Sequence, residues 1–514
     1  MTETIAPESA KPARWALGWW PPTLITFISS SCVMILELVA SRLIAPYVGV
    51  SLYTWTSVIG VVLAGMSIGN YIGGRLADRW ASRYLLGGAF LLAGLCSFGA
   101  LAVDGLAKQM PTDWPIIIQI MLLTAGLFLI PSLVLGTISP ILVKLAVRDL
   151  AKTGSTVGRI YAAGTVGSIA GTFATGFWLI SWFGTHTIIW AVGVVLVLLG
   201  LALIVGRRWP VMAAAVVALG AGSWVANGQG WLQSICDRET NYFCIRVVEQ
   251  TRDGAPVRAL ILDRMVHSHS SLDDPTKLVY DYERMYAEVT AHRAAQDDHL
   301  RALFIGGGGY TFPRYMATIY PGSDVDVIEI DPEVTEVAYE ELGVRRDAKI
   351  TNYNEDGRMV LSREPSQTYD LIYGDAFNDF SVPYHLTTHE FNQRVQAWLA
   401  EDGLYVINMI DGAQARFLRA FVETLRQTFP YVYVAPTDFE WKQLSRNTFV
   451  IVASGQPVAV DAIGAGSDRR FASHLLSAAD LDAVLAAGKV VILTDRYAPV
   501  DQMLAPVFRD VVGE

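Results

Sequence analysis

Several residues in the C-terminal half of the sequence have the types and spacing of a nucleoside-binding site. A run of glycines follows the apolar segment RALFI, and Glu329 follows 21 positions after the third of them, at the end of a second apolar segment. A glycine turn lets the backbone approach a ligand closely, and an acidic side chain after the next strand accepts hydrogen bonds from ribose hydroxyls. Such a run alone is also typical of a structural turn, but Glu329 at this distance favours ligand binding. The glycines are Gly306, Gly307, Gly308 and Gly309.

The glycine loop does not match the dinucleotide pattern G-x-G-x-x-G. Thr311 and Phe312 occupy the positions where its last glycine would fall. A pyrophosphate therefore fits poorly, and a nucleoside ligand without phosphates fits better. Asp356 and Asp375 are the last residues of two further segments in the same alternation, NYNED and YDLIYGD. All these polar residues are expected at the carboxyl ends of parallel strands, where ligands of such sheets bind.

The elements that position these residues alternate between strand and helix patterns. Helices are predicted at about 275–296, in TFPRYMATIYP, at about 332–342 and at about 387–400, between the apolar segments. This order predicts a parallel sheet with helical crossovers. Before it, residues 239–267 alternate apolar and polar residues around a DG turn and predict a small antiparallel β region.

The N-terminal half has a different composition. The whole chain is 52% hydrophobic and 17% charged, but residues 1–228 carry a balance of +6 and residues 229–514 a balance of −16. Seven apolar stretches between residues 22 and 227 are long enough to span a bilayer, and the fourth is overlong with two prolines that could kink or split it. The acidic half argues against nucleic acid as a partner and is compatible with a cationic substrate.

The side of the membrane that carries the C-terminal half stays open at this stage. Lys and Arg cluster in the loops after the second, fourth and sixth stretches, which predicts that these loops and the N-terminus are cytoplasmic. Seven spans would then place residues 229–514 outside, unless the fourth stretch crosses twice or the seventh does not cross. Cys236 and Cys244 are close enough in sequence to form a disulfide in an oxidising compartment.

A series of motifs in the C-terminal half resembles the spermidine synthase (polyamine aminopropyltransferase) family. They are LILDRMVHS, YDYERMY, IGGGG, EIDPEVTEVA, NEDGRMVL, YDLIYGDAFND, PYHL and THEF, over about residues 230–450. TDRYAPVD is similar to a tail segment of the membrane-fused bacterial branch, which would cover the whole chain. The resemblance implies a transmembrane helical domain at 1–228, a small antiparallel β region and linker helix at 229–290, and a Rossmann-like, S-adenosylmethionine-dependent transferase domain at 291–514.

The resemblance also assigns roles to residues. Asp375 falls on the family's catalytic aspartate, which helps to take the proton from the attacking amine, and Glu329 falls on its ribose-binding glutamate. The substrate would be a small cationic amine, and no metal is implied. The remaining predicted positions are, for the donor, Gly306–309 with Asp331, Asp356 and Gly357, and, for the acceptor, His267, Tyr282, Asp379 and Tyr384.

Two departures from the family pattern concern the donor. Gly309 stands where the family has an aspartate that holds the free amine of decarboxylated S-adenosylmethionine, and His267 replaces a glutamine. A carboxylate in the loop would repel the carboxylate of intact S-adenosylmethionine by roughly 4 kcal/mol at about 4 Å. Its loss makes the loop compatible with the intact donor, and Arg264 could attract that carboxylate. Either donor therefore remains open.

The apolar stretches thus predict a multi-pass membrane protein, and the resemblance to the bacterial branch implies the bacterial inner membrane. The leading hypothesis is aminopropyl transfer to an amine with Asp375 as the base. The first alternative is a methyltransferase or other S-adenosylmethionine-dependent enzyme that acts on a membrane-delivered substrate. The second is a transporter or sensor whose C-terminal domain binds a polyamine or nucleoside without chemistry. The lipid bilayer is an expected partner, and homo-oligomerisation is left open.

Overall fold

The computed structural model describes residues 21–107, 114–147, 149–206, 208–230, 232–376, 382–464 and 469–509. Asp379, which the sequence predicts as a substrate residue, lies outside the described residues. The described residues form two compact units, one built from N-terminal helices and one mainly from residues after 235.

In the first unit, the predicted apolar stretches are helices. Within the described residues, seven helices are long and apolar enough to cross a membrane, which confirms the predicted number. Their length and composition indicate a multi-pass membrane protein. They are α1 (Pro22–Val48), α2 (Leu52–Trp80), α3 (Arg83–Ala107), α4 (Ile116–Ala146), α5 (Leu150–Trp182), α6 (Thr185–Val205) and α7 (Trp209–Gly228).

The overlong fourth stretch is one helix and is not split at its prolines. A π-helical turn over Ala125–Leu129 interrupts α4 just before Pro131. Proline has no N–H to donate to the carbonyl four residues earlier, and its ring crowds that carbonyl. A wider turn at this point is one way in which a helix accommodates a proline.

The second unit begins with the predicted antiparallel β region. Its four strands pair in sequence order, and Asp253 and Gly254 both have positive φ at the turn between the second and third. This is the conformation that makes DG a favoured two-residue hairpin turn. The strands are β1 (Arg238–Glu239), β2 (Cys244–Arg252), β3 (Ala255–Leu262) and β4 (Met265–Ser270).

A seven-stranded sheet follows, in the order β10-β11-β9-β8-β5-β6-β7. Strands β7, β6, β5, β8 and β9 are parallel, whereas β11 is antiparallel to both of its neighbours. The strands are β5 (Arg301–Ile305), β6 (Asp324–Ile328), β7 (Ile350–Tyr353), β8 (Tyr369–Gly374), β9 (Leu399–Asp411), β10 (Tyr431–Pro436) and β11 (Asn447–Ser454).

Helices cover both faces of this sheet, because its central strands are apolar on both sides and must be buried on both. They are α8 (Asp281–Ala294), α9 (Thr311–Ile319), α10 (Pro332–Glu341), α11 (Gly357–Leu361), α12 (His389–Trp398), α13 (Arg416–Arg426), α14 (Arg470–His474), α15 (Ala478–Ala486) and α16 (Val500–Arg509).

The chain order reverses between β5 and β8. From β5 the chain proceeds to β6 and β7 on one side, and it then returns to β8 on the other side. In open α/β sheets, ligands bind in the crevice at such a switch point, beyond the carboxyl ends of the strands. The glycine loop follows β5, and Asp375 follows β8, so both lie at this crevice.

Candidate active site

The glycine loop turns sharply at Gly306, directly after β5. The Gly306 N–H donates to the Ile328 carbonyl oxygen over 2.9 Å, and its φ of +100° is unfavourable for any residue with a side chain. A Cβ atom at this position would lie 2.3 Å from the backbone oxygen of Asp375. The glycine therefore allows the β5 and β8 termini to approach each other.

Glu329 holds this loop. Its Oε2 atom accepts hydrogen bonds from the N–H groups of Gly307, over 2.9 Å, and Gly308, over 3.2 Å. Its Oε1 atom accepts one from the Asp331 N–H over 3.0 Å. The two loop amides that could cradle a phosphate thus already bind a carboxylate, which agrees with a ligand without phosphates. A carboxylate has about four acceptor sites, so one remains for a ribose hydroxyl.

Asp331 serves mainly as a helix cap in the structure. Its Oδ1 atom accepts from the Glu333 N–H over 3.0 Å at the start of α10, and its Oδ2 atom accepts from the Thr240 hydroxyl over 2.5 Å. The side chain is buried and lines neither of the two cavities described below. Its assignment to the donor site stays a prediction.

Asp356 caps α11 and faces the crevice. Its Oδ1 atom accepts from the Met359 N–H over 3.0 Å, and its Oδ2 atom lies 3.2 Å from Nε2 of His385. Asp495, in the TDRYAPVD segment, pairs with Arg358 on the same helix and accepts from the Thr388 hydroxyl over 2.8 Å. This C-terminal segment therefore holds α11, the helix that Asp356 caps at the crevice.

Asp375 is held by two hydrogen bonds. Asn408, near the end of β9, donates from Nδ2 to Oδ1 of Asp375 over 2.7 Å, and Tyr282 donates from its hydroxyl. Burial raises the pKa of Asp375 to about 6, although both hydrogen bonds act in the opposite direction. Such a carboxylate is ionised at neutral pH and is a stronger base than an exposed aspartate, as proton abstraction requires.

Two cavities meet at Asp375. The larger cavity, of about 320 Å³, is lined by Glu329, Asp356, Gly357, His385 and Phe243 among others, and it has the size of a small-molecule site. The smaller cavity, of about 140 Å³, is lined by Tyr280, Tyr282, Glu283, Asn408 and Arg446 among others. Four residues line both cavities, and these are His267, Gly306, Gly308 and Asp375.

The smaller cavity contains a second unusual carboxyl group. Glu283 is 2% exposed, and burial followed by the nearby charge of Asp375 raises its pKa to about 8. His267 behaves in the opposite way, because burial followed by the positive charge of Arg446 lowers its pKa to about 4. At neutral pH the imidazole is therefore neutral and Asp375 is ionised, whereas Glu283 is mainly protonated and can stabilise a cation by giving up its proton.

The fourth glycine of the loop faces β4. A Cβ atom at Gly309 would lie 1.8 Å from the Ser268 hydroxyl oxygen, so Ser268 occupies the space of a side chain there. Arg264 lies in the turn between β3 and β4 and lines neither cavity, whereas Arg446 lines the smaller one. Tyr384 is 56% exposed and also lines neither cavity, so its role at an amine site stays a prediction.

Cys236 and Cys244 form a disulfide. The loop that it closes carries Asn241, Tyr242 and Phe243, all of which line the larger cavity. The same loop carries Thr240, which hydrogen-bonds to Asp331. The disulfide therefore braces one wall of the larger cavity.

Four polar residues of the smaller cavity bear on its chemistry and were not assigned from the sequence. Asn408 could have been found from the sequence, because it interrupts the apolar strand LYVINMI, which pairs with β8, the strand that Asp375 follows. Glu283 lies in the quoted motif YDYERMY but looks like an ordinary helix-start residue. Ser268 and Arg446 reach the cavity only through the folding of β4 and the segment before β11, which no local pattern indicates.

In a comparison with known proteins, several relatives of this chain are named as polyamine aminopropyltransferases. No protein-family profile matches the sequence. A probable polyamine aminopropyl transferase from Bifidobacterium longum is 31% identical over 146 residues, which are 28% of this chain and 32% of that protein. Polyamine aminopropyltransferase 2 from Streptomyces coelicolor is 25% identical over 431 residues, which are 77% of this chain and 75% of that protein. The chain thus spans about a third of the first relative and three quarters of the second.

The longer match exceeds the C-terminal half alone, so it extends into the helical half of the chain. A solved structure of a probable spermidine synthase from Corynebacterium glutamicum has a TM-score of 0.41 and 22% identity, over 55% of this chain and 95% of that chain. Relatives named as methyltransferases match as well. The N-terminal helices are consistent with a fusion of a membrane domain to the transferase domain. By its motifs and these relatives, the chain is similar to the spermidine synthase (polyamine aminopropyltransferase) family.

Proposed function

We propose that this protein is a membrane-integrated transferase that moves an aminopropyl-type group, a three-carbon amine chain, from an S-adenosyl sulfonium donor to an amine. One observation carries the proposal. Asp375 lies at the switch point of the sheet, at the junction of the two cavities, with a raised pKa and with Asn408 to orient it. The names of the relatives support the transferase class.

In this proposal each cavity binds a different part of the donor. The larger cavity takes the adenosine, with Glu329 accepting from the ribose and Asp356 facing the base. The glycine loop passes beneath the sulfonium, and the smaller cavity takes the chain to be transferred together with the acceptor. The carboxyl groups of Asp375 and Glu283 supply the negative charge that a cationic sulfonium and an amine require.

The chemistry is a nucleophilic substitution at carbon. The acceptor nitrogen attacks the chain carbon bonded to sulfur, and a C–N bond forms as the C–S bond breaks. Sulfur keeps the electron pair and leaves as neutral methylthioadenosine, while Asp375 takes the proton from nitrogen. A base of pKa about 6 is ionised at neutral pH and accepts that proton as the nitrogen becomes cationic.

A methyltransferase is the second candidate, and Gly309 favours it. The loop has no carboxylate at this position, so intact S-adenosylmethionine meets no repulsion there. Methyl transfer would leave S-adenosylhomocysteine, whereas transfer of the chain leaves methylthioadenosine. A transporter or sensor would bind the nucleoside and release neither product.

The test combines binding with product analysis on the purified full-length chain. Calorimetry measures the affinity for methylthioadenosine, and mass spectrometry follows each donor mixed with a panel of diamines and amino acids. We expect methylthioadenosine to bind and to accumulate in an acceptor-dependent manner. Accumulation of S-adenosylhomocysteine instead would support the methyltransferase, and binding without any product would contradict both enzymes.

A further inference from the structure

The connection between the first two membrane helices belongs to the second unit of the structure. That unit includes Ile44–Trp55 as well as the residues after 235. Val50, which lies in this connection between α1 and α2, lines the larger cavity. A residue can line a cavity of the C-terminal unit only if it lies on the same side of the bilayer as that unit. The α1–α2 connection and the two cavities therefore share one side of the membrane.

Hydrogen bonds hold this connection in one shape. Gly49 has a φ of +73°, and its N–H donates to the Ala45 carbonyl oxygen over 2.8 Å at the end of α1. The Thr54 hydroxyl donates to the Gly49 carbonyl oxygen over 2.9 Å. At the start of α2 the Ser51 hydroxyl accepts from the Thr54 N–H over 3.2 Å, as an N-cap residue does. Val50 is thus held between two capped helix ends.

The number of helices between this connection and the C-terminal unit is even. Six of the seven membrane-length helices in the described residues, α2 to α7, separate the two. Each crossing changes the side of the membrane, so six crossings return the chain to the side of the α1–α2 connection. If α7 did not cross, the C-terminal unit would lie on the opposite side, and Val50 could not line its cavity. The position of Val50 therefore favours a crossing by α7 and a single crossing by the overlong α4.

The basic residues distinguish the two sides. Between residues 21 and 208, nine Lys and Arg residues lie in or near the α2–α3, α4–α5 and α6–α7 connections, whereas Arg42 and Lys108 alone lie near the other connections. Cytoplasmic connections carry such an excess of Lys and Arg. The side that carries the α1–α2 connection and the C-terminal unit is therefore the extracytoplasmic one. The nine residues are Arg75, Arg79, Arg83, Lys144, Arg148, Lys152, Arg159, Arg207 and Arg208.

A disulfide in the C-terminal unit indicates the same side. Cys236 and Cys244 are bonded to each other and close the loop that forms part of the wall of the larger cavity. Disulfides form and persist in oxidising compartments and are rare in the cytosol, where thiols are kept reduced. This observation depends neither on the basic residues nor on the number of helices.

We infer that the C-terminal unit, with both cavities, lies on the extracytoplasmic side of the membrane. The donor and the acceptor of the proposed transfer must then reach the site from that side. An S-adenosyl sulfonium carries a permanent positive charge, and transfer of a charge into an apolar medium is costly, so the donor does not cross the bilayer unaided. The reaction therefore depends on a donor that is present outside the cytoplasm. The assignment of the side itself does not rest on the proposed function.

Cysteine labelling of the full-length chain in spheroplasts tests the side directly. Ser366, between α11 and β8, and Ser155, near the start of α5, are both exposed and line neither cavity. Ser366→Cys and Ser155→Cys are therefore matched variants, each made in a chain whose free cysteines, Cys32 and Cys96, are replaced by alanine. With a charged maleimide, we expect equal labelling of Ser366→Cys in sealed and permeabilised spheroplasts, and labelling of Ser155→Cys only after permeabilisation. Labelling of Ser366→Cys only after permeabilisation, or of Ser155→Cys in sealed spheroplasts, would overturn the inference.

Two measurements on the wild-type chain complete the test. Cys236 and Cys244 should not react with an alkylating reagent added at cell lysis until a reductant is present, and free thiols at that step would contradict the inference. Donor and acceptor supplied outside sealed spheroplasts should give methylthioadenosine at the rate measured after permeabilisation. Release only after permeabilisation would overturn the inference. No release in either case would contradict the proposed function instead, and the labelling would still decide the side.

Discussion

Asn408 donates a hydrogen bond of 2.7 Å from its Nδ2 atom to Oδ1 of Asp375, across the neighbouring strands β9 and β8. Parallel pairing sets this contact, because Gly374 lies opposite Ile407 and the next residue on each strand carries the polar side chain. The bond directs the carboxylate and stabilises its ionised form. Asn408 is therefore a positioning residue for the base that we propose.

The pH dependence of transfer should report this contact. Burial raises the pKa of Asp375 to about 6, and the ionised form is the base, so kcat/KM should rise with pH through about 6. Asn408→Leu removes a hydrogen bond that lowers this pKa, so its acidic limb should move to higher pH. Tyr282→Phe should shift the limb in the same direction.

The comparison of the three pH profiles, with methylthioadenosine affinity as the folding control, checks this prediction. If the acidic limb of the kcat/KM profile lies at the same pH in both variants as in the wild type, then the ionisation of Asp375 does not determine that limb. A uniform loss of kcat at every pH would point to misfolding of the strand pair.

Gly306 should tolerate no side chain. Ala at this position combines a positive φ with a Cβ atom 2.3 Å from the Asp375 backbone oxygen, whereas a Cβ atom at Gly308 meets nothing within 4 Å. The left-handed backbone alone costs about 1–3 kcal/mol, and both positions share that cost. We therefore expect Gly306→Ala to bind methylthioadenosine at least about tenfold more weakly than Gly308→Ala, which is a difference of about 1.4 kcal/mol. Similar affinities in the two variants would contradict the close approach of the loop to β8.

Reduction of the disulfide should weaken ligand binding in the larger cavity. Reduction of Cys236–Cys244 frees the loop that carries Asn241, Tyr242 and Phe243, and ordering each side chain again on binding costs about 0.5–1.5 kcal/mol. For three side chains the cost is about 1.5 kcal/mol or more, so methylthioadenosine should then bind at least about tenfold more weakly. Calorimetry with and without reductant measures the change, and a Cys236→Ser, Cys244→Ser double variant should show the weaker affinity and no response to reductant. If the double variant binds methylthioadenosine as tightly as the wild type, the disulfide does not contribute to ordering the loop that carries Asn241, Tyr242 and Phe243.

The parts of the structure that local patterns encode were predictable from the sequence. The apolar helices, the DG hairpin and the order of strands and helices around Gly306 follow from periodicity and turn chemistry. The environment of Asp375 was less accessible, because Glu283, Ser268 and Arg446 come from three separate segments that only the tertiary fold brings together. Ser268 shows the difference most clearly: its meaning depends on the missing side chain at Gly309, which lies 41 positions away in the sequence.

Product analysis of Asp375→Asn tests the central claim most directly. The wild-type chain and the variant are incubated with the donor and acceptor that give methylthioadenosine, and its release is measured by mass spectrometry alongside calorimetric binding of methylthioadenosine. The account predicts at least about a hundredfold lower release in the variant, the usual contribution of a general base, with nearly unchanged binding. Release at the wild-type rate from a variant that binds normally would contradict the assignment of Asp375 as the base.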